Sequence, residues 1–282
     1  MASLTREPAP SFEELVRALT TRQLPLPRLL RALQIIGRSL KRDPSLATDL
    51  QRLGGVPSLL HYIEKPRASD HALSVLANCL IHVRVRTEVL ESNGVSSLVR
   101  ILTNIAEDSI RNRACRALAN IALSARGAYA VHQTQGSVHA VVDFLNATKS
   151  KDSQATAMRA LRVLGSTSAY RESITSFGGV AALARLILTV AEPLRKPCAD
   201  ALERLTHKCT LTAAKQVKDS GAFAVLVELS DSVDSALFTM VNIAQLDEML
   251  VDVGSSGIIA KIVARLANNS DDSSHKLPEN RK

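Results

Sequence analysis

The sequence predicts an all-α solenoid of about six repeats, and three observations favour that fold class. Apolar residues make up 46% of the 282-residue chain, yet aromatic residues make up only 3% and tryptophan is absent. A core of Leu, Ala, Val and Ile suits closely packed helices better than a β-sandwich, which draws on aromatic and β-branched residues. Two further sequence features recur with one shared period of about 42 residues, and such a period is typical of stacked helical repeats.

The first repeated feature is a glycine that opens an apolar run, as in GVSSLVRIL at Gly94. Successive glycines of this kind are separated by 39, 42, 43, 42 and 36 residues. They are Gly55, Gly94, Gly136, Gly179, Gly221 and Gly257. Because glycine permits a sharp turn at low steric cost, each one is expected to separate two helices.

The second repeated feature is a seven-residue helical motif, of which RALANIA (116–122) is the clearest copy. The other copies are RALQIIG, SVLANCL, RALRVLG, DALERLT and FTMVNIA. Their fifth positions are separated by 43, 42, 43, 41 and 38 residues. Two independent features with one period indicate a repeat of about 42 residues.

The individual helices can be predicted in order along the chain. Ser11-Phe-Glu-Glu14 reads as a capping box that starts the first helix. Pro25 and Pro27 are expected to separate that helix from the next.

A complete repeat is predicted to contain three helices, as the stretch that ends in RALANIAL illustrates. A short first helix is expected over 87–92, and a second helix over 95–106. Asp108 and Ser109 are expected to cap a third helix over 110–124.

Stacking defines the predicted domain organisation, because each repeat buries its apolar stripes against its neighbours. We expect a disordered N-terminus (1–10), a solenoid (11–268) and a polar, disordered tail (269–282). The predicted repeats cover about 11–43, 44–83, 84–125, 126–167, 168–209 and 210–245, with a partial repeat at 246–268. The partial repeat lacks a third helix, so either its last helix reorients as a cap or the chain is one portion of a longer design.

Charge and motif content exclude several classes of function. The formal net charge is +8, and residues 1–141 carry 18 Lys and Arg against 11 Asp and Glu. An electrostatic partner is therefore expected to bind the N-terminal half. No apolar run is long enough to span a membrane and no signal peptide is evident, so we expect a cytoplasmic or nuclear protein without a membrane role.

Catalytic and metal-binding readings have little support in the sequence. Phosphate-binding, dinucleotide-binding, HExxH and GxSxG motifs are absent. Cys79 and His82, and likewise Cys198, His207 and Cys209, do not follow a known zinc spacing. We expect reduced thiols, no metal, no cofactor and no enzymatic activity.

The glycine-opened second helix and the RALANIA-type third helix resemble armadillo repeats over about residues 11–268. HALSVLANC, RTEVLESNGVSSLVRIL, DSIRNRACRALANIAL and KDSQATAMRALRVLG resemble more closely the armadillo family whose array is followed by a BTB domain. The resemblance implies a right-handed armadillo solenoid. It also implies substrate recognition for a cullin-3 ubiquitin ligase, with the large subunit of RNA polymerase II as a substrate class. No BTB segment follows residue 268 in this sequence, so recruitment of cullin-3 through such a segment is not expected of these residues.

The same resemblance implies a partner-binding groove along the third helices. An asparagine at the fifth motif position would hydrogen-bond the main chain of an extended bound peptide. Positions four and seven residues earlier share its helical face. The expected groove residues are Arg28, Arg31, His71, Asn78, Arg113, Arg116, Asn120, Arg159 and Asn242.

The chemistry of these residues favours acidic or phosphorylated extended segments, which guanidinium groups bind through paired hydrogen bonds. Nuclear-import adaptors use tryptophan at the position of Arg116, so binding of a basic localisation signal is disfavoured. Two alternatives remain. The arginines could form only ion pairs between repeats, or the basic half could attract nucleic acid without sequence preference. The scarcity of aromatic stacking residues makes nucleic acid the weaker alternative.

Overall fold

The computed structural model describes residues 10–265, and in that part of the chain all regular secondary structure is helical. The helices divide between two compact units, Met1–Leu164 (unit 1) and Gly165–Lys282 (unit 2). In unit 1 they are α1 (Phe12–Thr20), α2 (Leu26–Arg42), α3 (Leu46–Arg52), α4 (Gly55–Ile63), α5 (Ser69–Cys79), α6 (Val83–Glu91), α7 (Gly94–Asn104), α8 (Asp108–Ile121), α9 (Ala125–Gln133), α10 (Ser137–Ala147) and α11 (Lys151–Leu164). In unit 2 they are α12 (Ser168–Ser176), α13 (Gly179–Leu186), α14 (Glu192–Thr206), α15 (Leu211–Asp219), α16 (Ala222–Leu229), α17 (Asp234–Ile243), a 3₁₀ turn (Asp247–Met249) and α18 (Leu250–Ser255). Residues 258–265 are also helical.

Within each unit, third helices of neighbouring repeats pack on one another. Within unit 1 these contacts join α2 to α5, α5 to α8 and α8 to α11. Within unit 2 they join α14 to α17. The predicted all-α armadillo-type fold is thereby confirmed. The predicted disorder of 1–10 and 269–282 and the end of the partial repeat lie essentially outside the described residues.

Side-chain capping explains where three of the first helices, α9, α12 and α15, begin. The Ser124 hydroxyl accepts a hydrogen bond from the Gly127 amide at the start of α9. Thr167 and Thr210 cap α12 and α15 in the same way. Each cap satisfies an amide that has no partner inside its own helix. The capping box predicted at Ser11 and Glu14 is also present.

Two predicted boundaries around the third repeat are wrong. Asp108 and Ser109 do not cap α8, since Asp108 is already its first helical residue and the preceding Glu107 makes no side-chain cap. The first helix of that repeat begins at Val83, four residues earlier than predicted. Its early start places Arg86 inside the helix, where the buried Arg86 Nη1 donates to the carbonyls of Leu80 (3.0 Å) and Ile81 (2.8 Å). A charged stretch that reads as a loop is therefore helical, because its arginine satisfies carbonyls at the end of α5.

Two residues at the turn before α7 have different structural roles. Asn93 adopts the left-handed conformation (φ 55°) that the sequence assigned to glycine. Gly94 lies inside the helix, where a Cβ would come within 2.6 Å of the Val89 side chain. Asn93 therefore makes the turn, and Gly94 allows α6 and α7 to approach closely.

Across residues 10–265, no helix combines the length and apolar character needed to cross a lipid bilayer.

Candidate functional site

The most distinctive polar feature of unit 1 is a pair of arginine–asparagine bonds between successive third helices. Arg116 Nη2 on α8 donates to Asn78 Oδ1 on α5 over 2.9 Å. Arg159 Nη2 on α11 donates to Asn120 Oδ1 on α8 over 2.8 Å. We refer to these four residues as the arginine–asparagine ladder. It places two guanidinium groups at equivalent positions in adjacent repeats.

The asparagines of the ladder also have a role in the framework. Asn120 is 5% exposed, and its Nδ2 donates to the Ala77 carbonyl over 2.8 Å. That carbonyl belongs to the last turn of α5, where carbonyl groups lack intrahelical partners. Asn120 therefore joins two repeats and holds Arg159. The sequence predicts only a hydrogen bond from this asparagine to the main chain of a bound peptide.

Both ladder arginines carry positive charge that no described carboxylate neutralises. Among residues 10–265, neither Arg116 nor Arg159 forms a salt bridge. Burial, and then the charges of Arg113 and Arg159, lower the pKa of the Arg116 guanidinium. Burial, and then the charge of Arg162, lower the pKa of Arg159. Arginine stays protonated at neutral pH despite such shifts, so an anion bound here would relieve mutual repulsion.

Arg113 behaves differently from the ladder arginines. Its Nη1 forms an ion pair with Asp70 of the preceding repeat. This contact matches the alternative in which groove arginines only join repeats. The prediction that Arg113 contacts a partner stays untested, but its charge is already compensated.

The remaining predicted groove residues of unit 1 lie at the N-terminal end of this face. Arg28 and Arg31 are exposed on α2. His71 on α5 is partly exposed, and its Nε2 lies 2.9 Å from Gln34 Nε2 on α2. No bond connects these three residues to the ladder among the described residues, and their part in a groove stays a prediction.

A depression of about 480 Å³ contains the ladder, and it is lined by both cationic and apolar residues. Arg116, Arg159 and Lys41 supply the cationic wall, while Leu40, Pro44 and Ile81 supply apolar surface. No carboxylate of the described chain lines this depression. A neighbouring depression of about 590 Å³ shares Lys41 and Arg116 but is also lined by Asp108 and Asp152.

Sequence reasoning missed Lys41 and Ile81 as members of the site. Lys41 follows the seven-residue motif within α2, and Ile81 lies in the turn two residues beyond the end of α5. The groove was predicted from positions inside the third helices, so it did not include a turn residue such as Ile81, which is 50% exposed.

Unit 2 has a third-helix face without the ladder. Asn242 Nδ2 donates to the Glu203 carbonyl over 3.2 Å and so repeats the framework bond of Asn120. Phe238, which is 50% exposed, occupies the motif position of Arg116. Arg204 occupies the motif position that Asn78 holds in unit 1.

The cysteines and histidines have no common site. Among the described residues, no group of three or more His, Cys, Asp and Glu could hold a metal. Cys79 and Cys115 are buried thiols, and burial raises the pKa of each to about 12. Burial also raises the pKa of Cys198, whose Sγ donates to the Leu183 carbonyl. High thiol pKa values disfavour the reactive thiolate.

Comparison with known proteins places this geometry in an evolutionary context. The family model described as ARMC5 matches residues 67–280. A stretch of 63 residues is 43% identical to armadillo repeat-containing protein 5 of Mus musculus. That match covers 22% of this chain and 7% of the mouse protein, so the chain aligns with a small part of its relative's length.

Solved structures with the same fold include engineered repeat proteins. One engineered protein is 26% identical, has a TM-score of 0.77 and covers 89% of this chain and 63% of its own. A designed armadillo repeat protein in complex with the peptide (KR)4 is 17% identical, with a TM-score of 0.71 and coverage of 83% and 100%. Another designed armadillo repeat protein is 19% identical, with a TM-score of 0.64 and coverage of 72% and 88%. These likenesses show that the chain has the armadillo-type solenoid fold.

Proposed function

We propose, from the premise that the chain belongs to the ARMC5 armadillo-repeat family, that it is a non-enzymatic module binding an extended acidic or phosphorylated protein segment. The binding surface is the third-helix face of unit 1. We assign to it the predicted groove residues Arg28, Arg31, His71, Asn78, Arg113, Arg116, Asn120 and Arg159. The arginine–asparagine ladder supplies its guanidinium groups without carboxylate partners among residues 10–265.

A single observation carries this proposal: Arg116 and Arg159 are held at equivalent positions of adjacent repeats, without a carboxylate partner among residues 10–265. A carboxylate or phosphate would accept charge-assisted hydrogen bonds from them, which are stronger than neutral ones. The designed protein in complex with (KR)4 binds a basic peptide. The cationic wall of unit 1 favours the opposite charge.

Membership of the family supports a more specific, cellular form of the proposal. In it, the array recognises substrates for a cullin-3 ubiquitin ligase in the cytosol or nucleus, with the large subunit of RNA polymerase II as one substrate class. Co-precipitation of purified cullin-3 or a BTB partner with the chain supports this form. Consistent absence of both favours a general scaffold without a ubiquitin link.

The groove itself can be tested with fluorescein-labelled peptides of alternating serine and glutamate, alternating serine and phosphoserine, or serine and glutamine. We expect the two anionic peptides to bind and the glutamine peptide not to bind. Replacing both Arg116→Gln and Arg159→Gln should weaken anionic binding at least about tenfold, because each charge-assisted bond contributes about 1.5–3 kcal/mol.

A matched control removes two cations elsewhere in unit 1. Arg100→Gln with Arg126→Gln makes the same change in net charge, but both residues are exposed and paired with Glu64 and Glu91. Equal weakening by the two double variants would contradict the groove assignment. Tight binding of single-stranded RNA by the wild type, with a steep salt dependence, would instead favour the nucleic-acid alternative.

A further inference from the structure

We infer that the partner segment carries a branched aliphatic residue two positions from its acidic or phosphorylated residue. This inference rests on the proposed function and specifies the chemistry of its ligand. Its basis is the mixed lining of the depression of about 480 Å³, in which Ile81 adjoins the arginine–asparagine ladder.

Ile81 is exposed, and its backbone is held in place. The residue is 50% exposed, and its carbonyl accepts a hydrogen bond from the buried Arg86 over 2.8 Å. A restrained backbone lowers the entropic cost of binding, because the segment that presents the side chain is not ordered anew on association. Ile81 therefore offers an apolar contact on an ordered segment of the depression.

The apolar contact continues beyond one side chain. Leu40 and Pro44 line the same depression from the region of α2. Leu123, 42 residues after Ile81 and also 50% exposed, occupies the equivalent position in the next repeat. An aliphatic side chain packed on Ile81 would remove apolar area from water, which stabilises the complex in proportion to that area.

The cationic wall fixes the neighbouring chemistry. Arg116, Arg159 and Lys41 line the depression together with Ile81. Side chains of an extended segment alternate between opposite faces. An anionic and an aliphatic side chain that both face the depression are therefore an even number of positions apart. Two is the shortest such spacing, and we choose it because Ile81 and the arginines line a single depression of about 480 Å³.

Fluorescence anisotropy with the full chain tests the inference. The probe is the fluorescein-labelled peptide Gly-Ser-Glu-Ser-Leu-Ser-Glu-Ser-Gly, in which leucine lies two positions from each glutamate. One comparison peptide replaces leucine with serine, and a second exchanges leucine with the adjacent serine. We expect each comparison peptide to bind about tenfold more weakly, since an aliphatic side chain is no longer buried.

Protein variants locate the contact. Ile81→Ser should weaken the leucine peptide about tenfold and leave the serine peptide unchanged. Val83→Ser is the matched control, because Val83 is 67% exposed two residues away and does not line the depression. It should leave both affinities unchanged, and circular dichroism should show that both variants keep their helix content.

The outcomes separate this inference from the proposed function. Equal binding of the leucine and serine peptides, with loss on Arg116→Gln, overturns the aliphatic requirement and leaves the anion-binding groove standing. Equal weakening by Ile81→Ser and Val83→Ser also overturns it. If Arg116→Gln leaves the affinity for either peptide unchanged, the proposed function itself is contradicted.

Discussion

Asn120 in unit 1 and Asn242 in unit 2 make the same bond in different surroundings. Each amide nitrogen donates to a carbonyl in the last turn of the preceding third helix, that of Ala77 or of Glu203. Among residues 10–265, Asn120 also accepts a hydrogen bond from an arginine of the next repeat, and Asn242 does not. The comparison teaches that the amide position serves the framework in both units, whereas in unit 1 it also orients an arginine.

The net charge also distinguishes the two units. Residues 1–164 contain 22 Lys and Arg against 13 Asp and Glu, a net +9, and residues 165–282 contain 13 against 14, a net −1. On the third-helix face, Phe238 takes the position of Arg116. An anionic partner is therefore expected to select unit 1.

The largest expected effect compares two buried arginines on first helices. Arg86 donates to two carbonyls, whereas Arg171 donates to one, that of Gly165 over 3.3 Å. We expect Arg86→Met to lower the free energy of unfolding by about 3 kcal/mol and Arg171→Met by about 1.5 kcal/mol, from the usual strength of charged hydrogen bonds. Urea denaturation measures both values. Equal losses in the free energy of unfolding would show that the number of hydrogen bonds does not determine how much each arginine stabilises the fold.

Truncating the two asparagines should give the next largest effect. Asn120→Ala removes one bond to a backbone carbonyl and the acceptor of Arg159, so we expect a loss of about 2 kcal/mol. Asn242→Ala should cost about 1 kcal/mol, because its amide is partly exposed and its two contacts are 3.2 and 3.3 Å long. Thermal unfolding compares them. A larger loss of stability for Asn242→Ala would contradict the prediction that Asn120 stabilises its unit more than Asn242 does.

A ladder can be transplanted into unit 2. Phe238→Arg alone should add little, since Arg204 occupies the motif position of the accepting asparagine and has like charge. The double change Phe238→Arg with Arg204→Asn supplies donor and acceptor together. We expect it to strengthen binding of the alternating serine–glutamate peptide about fivefold in a chain that already carries Arg116→Gln and Arg159→Gln. The single variant is the control, and equal affinities for single and double variants would contradict the transplant.

The smallest expected effect concerns pH. His132 Nε2 lies 3.1 Å from the Leu164 carbonyl, and burial, outweighing that hydrogen bond, lowers the pKa of His132 below its ordinary value of 6.5. The unfolded chain then binds a proton more readily than the folded chain. This contribution to stability is present above about pH 6.5 and is lost as the pH falls through the lowered pKa. Unit 2 has Thr175 at the equivalent position.

Thermal unfolding across this pH range checks the histidine effect. His132→Gln should flatten the dependence between neutral and mildly acidic pH, because glutamine does not titrate. An unchanged pH profile in the variant would assign the dependence to other groups.

The sequence predicts the helical class and the period because both follow from apolar spacing and turn residues, which are local. That Arg116 and Asn120 belong to one partner-binding face stays a prediction. The sequence could not predict that Arg116 bonds Asn78 while Arg113 pairs with Asp70, because each bond depends on side-chain reach between helices about 40 residues apart in the chain. It placed the start of α6 four residues late, because the bonds of Arg86 to the Leu80 and Ile81 carbonyls are not visible in the apolar pattern.

Arg86 connects the first helix α6 to Ile81 in the depression. A ligand that packs on Ile81 therefore opposes the local opening of α6, because opening would release the carbonyl that Arg86 holds. Linkage requires the converse, so loosening α6 weakens retention of the ligand. Amide hydrogen exchange in α6, none of whose residues lines the depression, should consequently slow when the groove is filled.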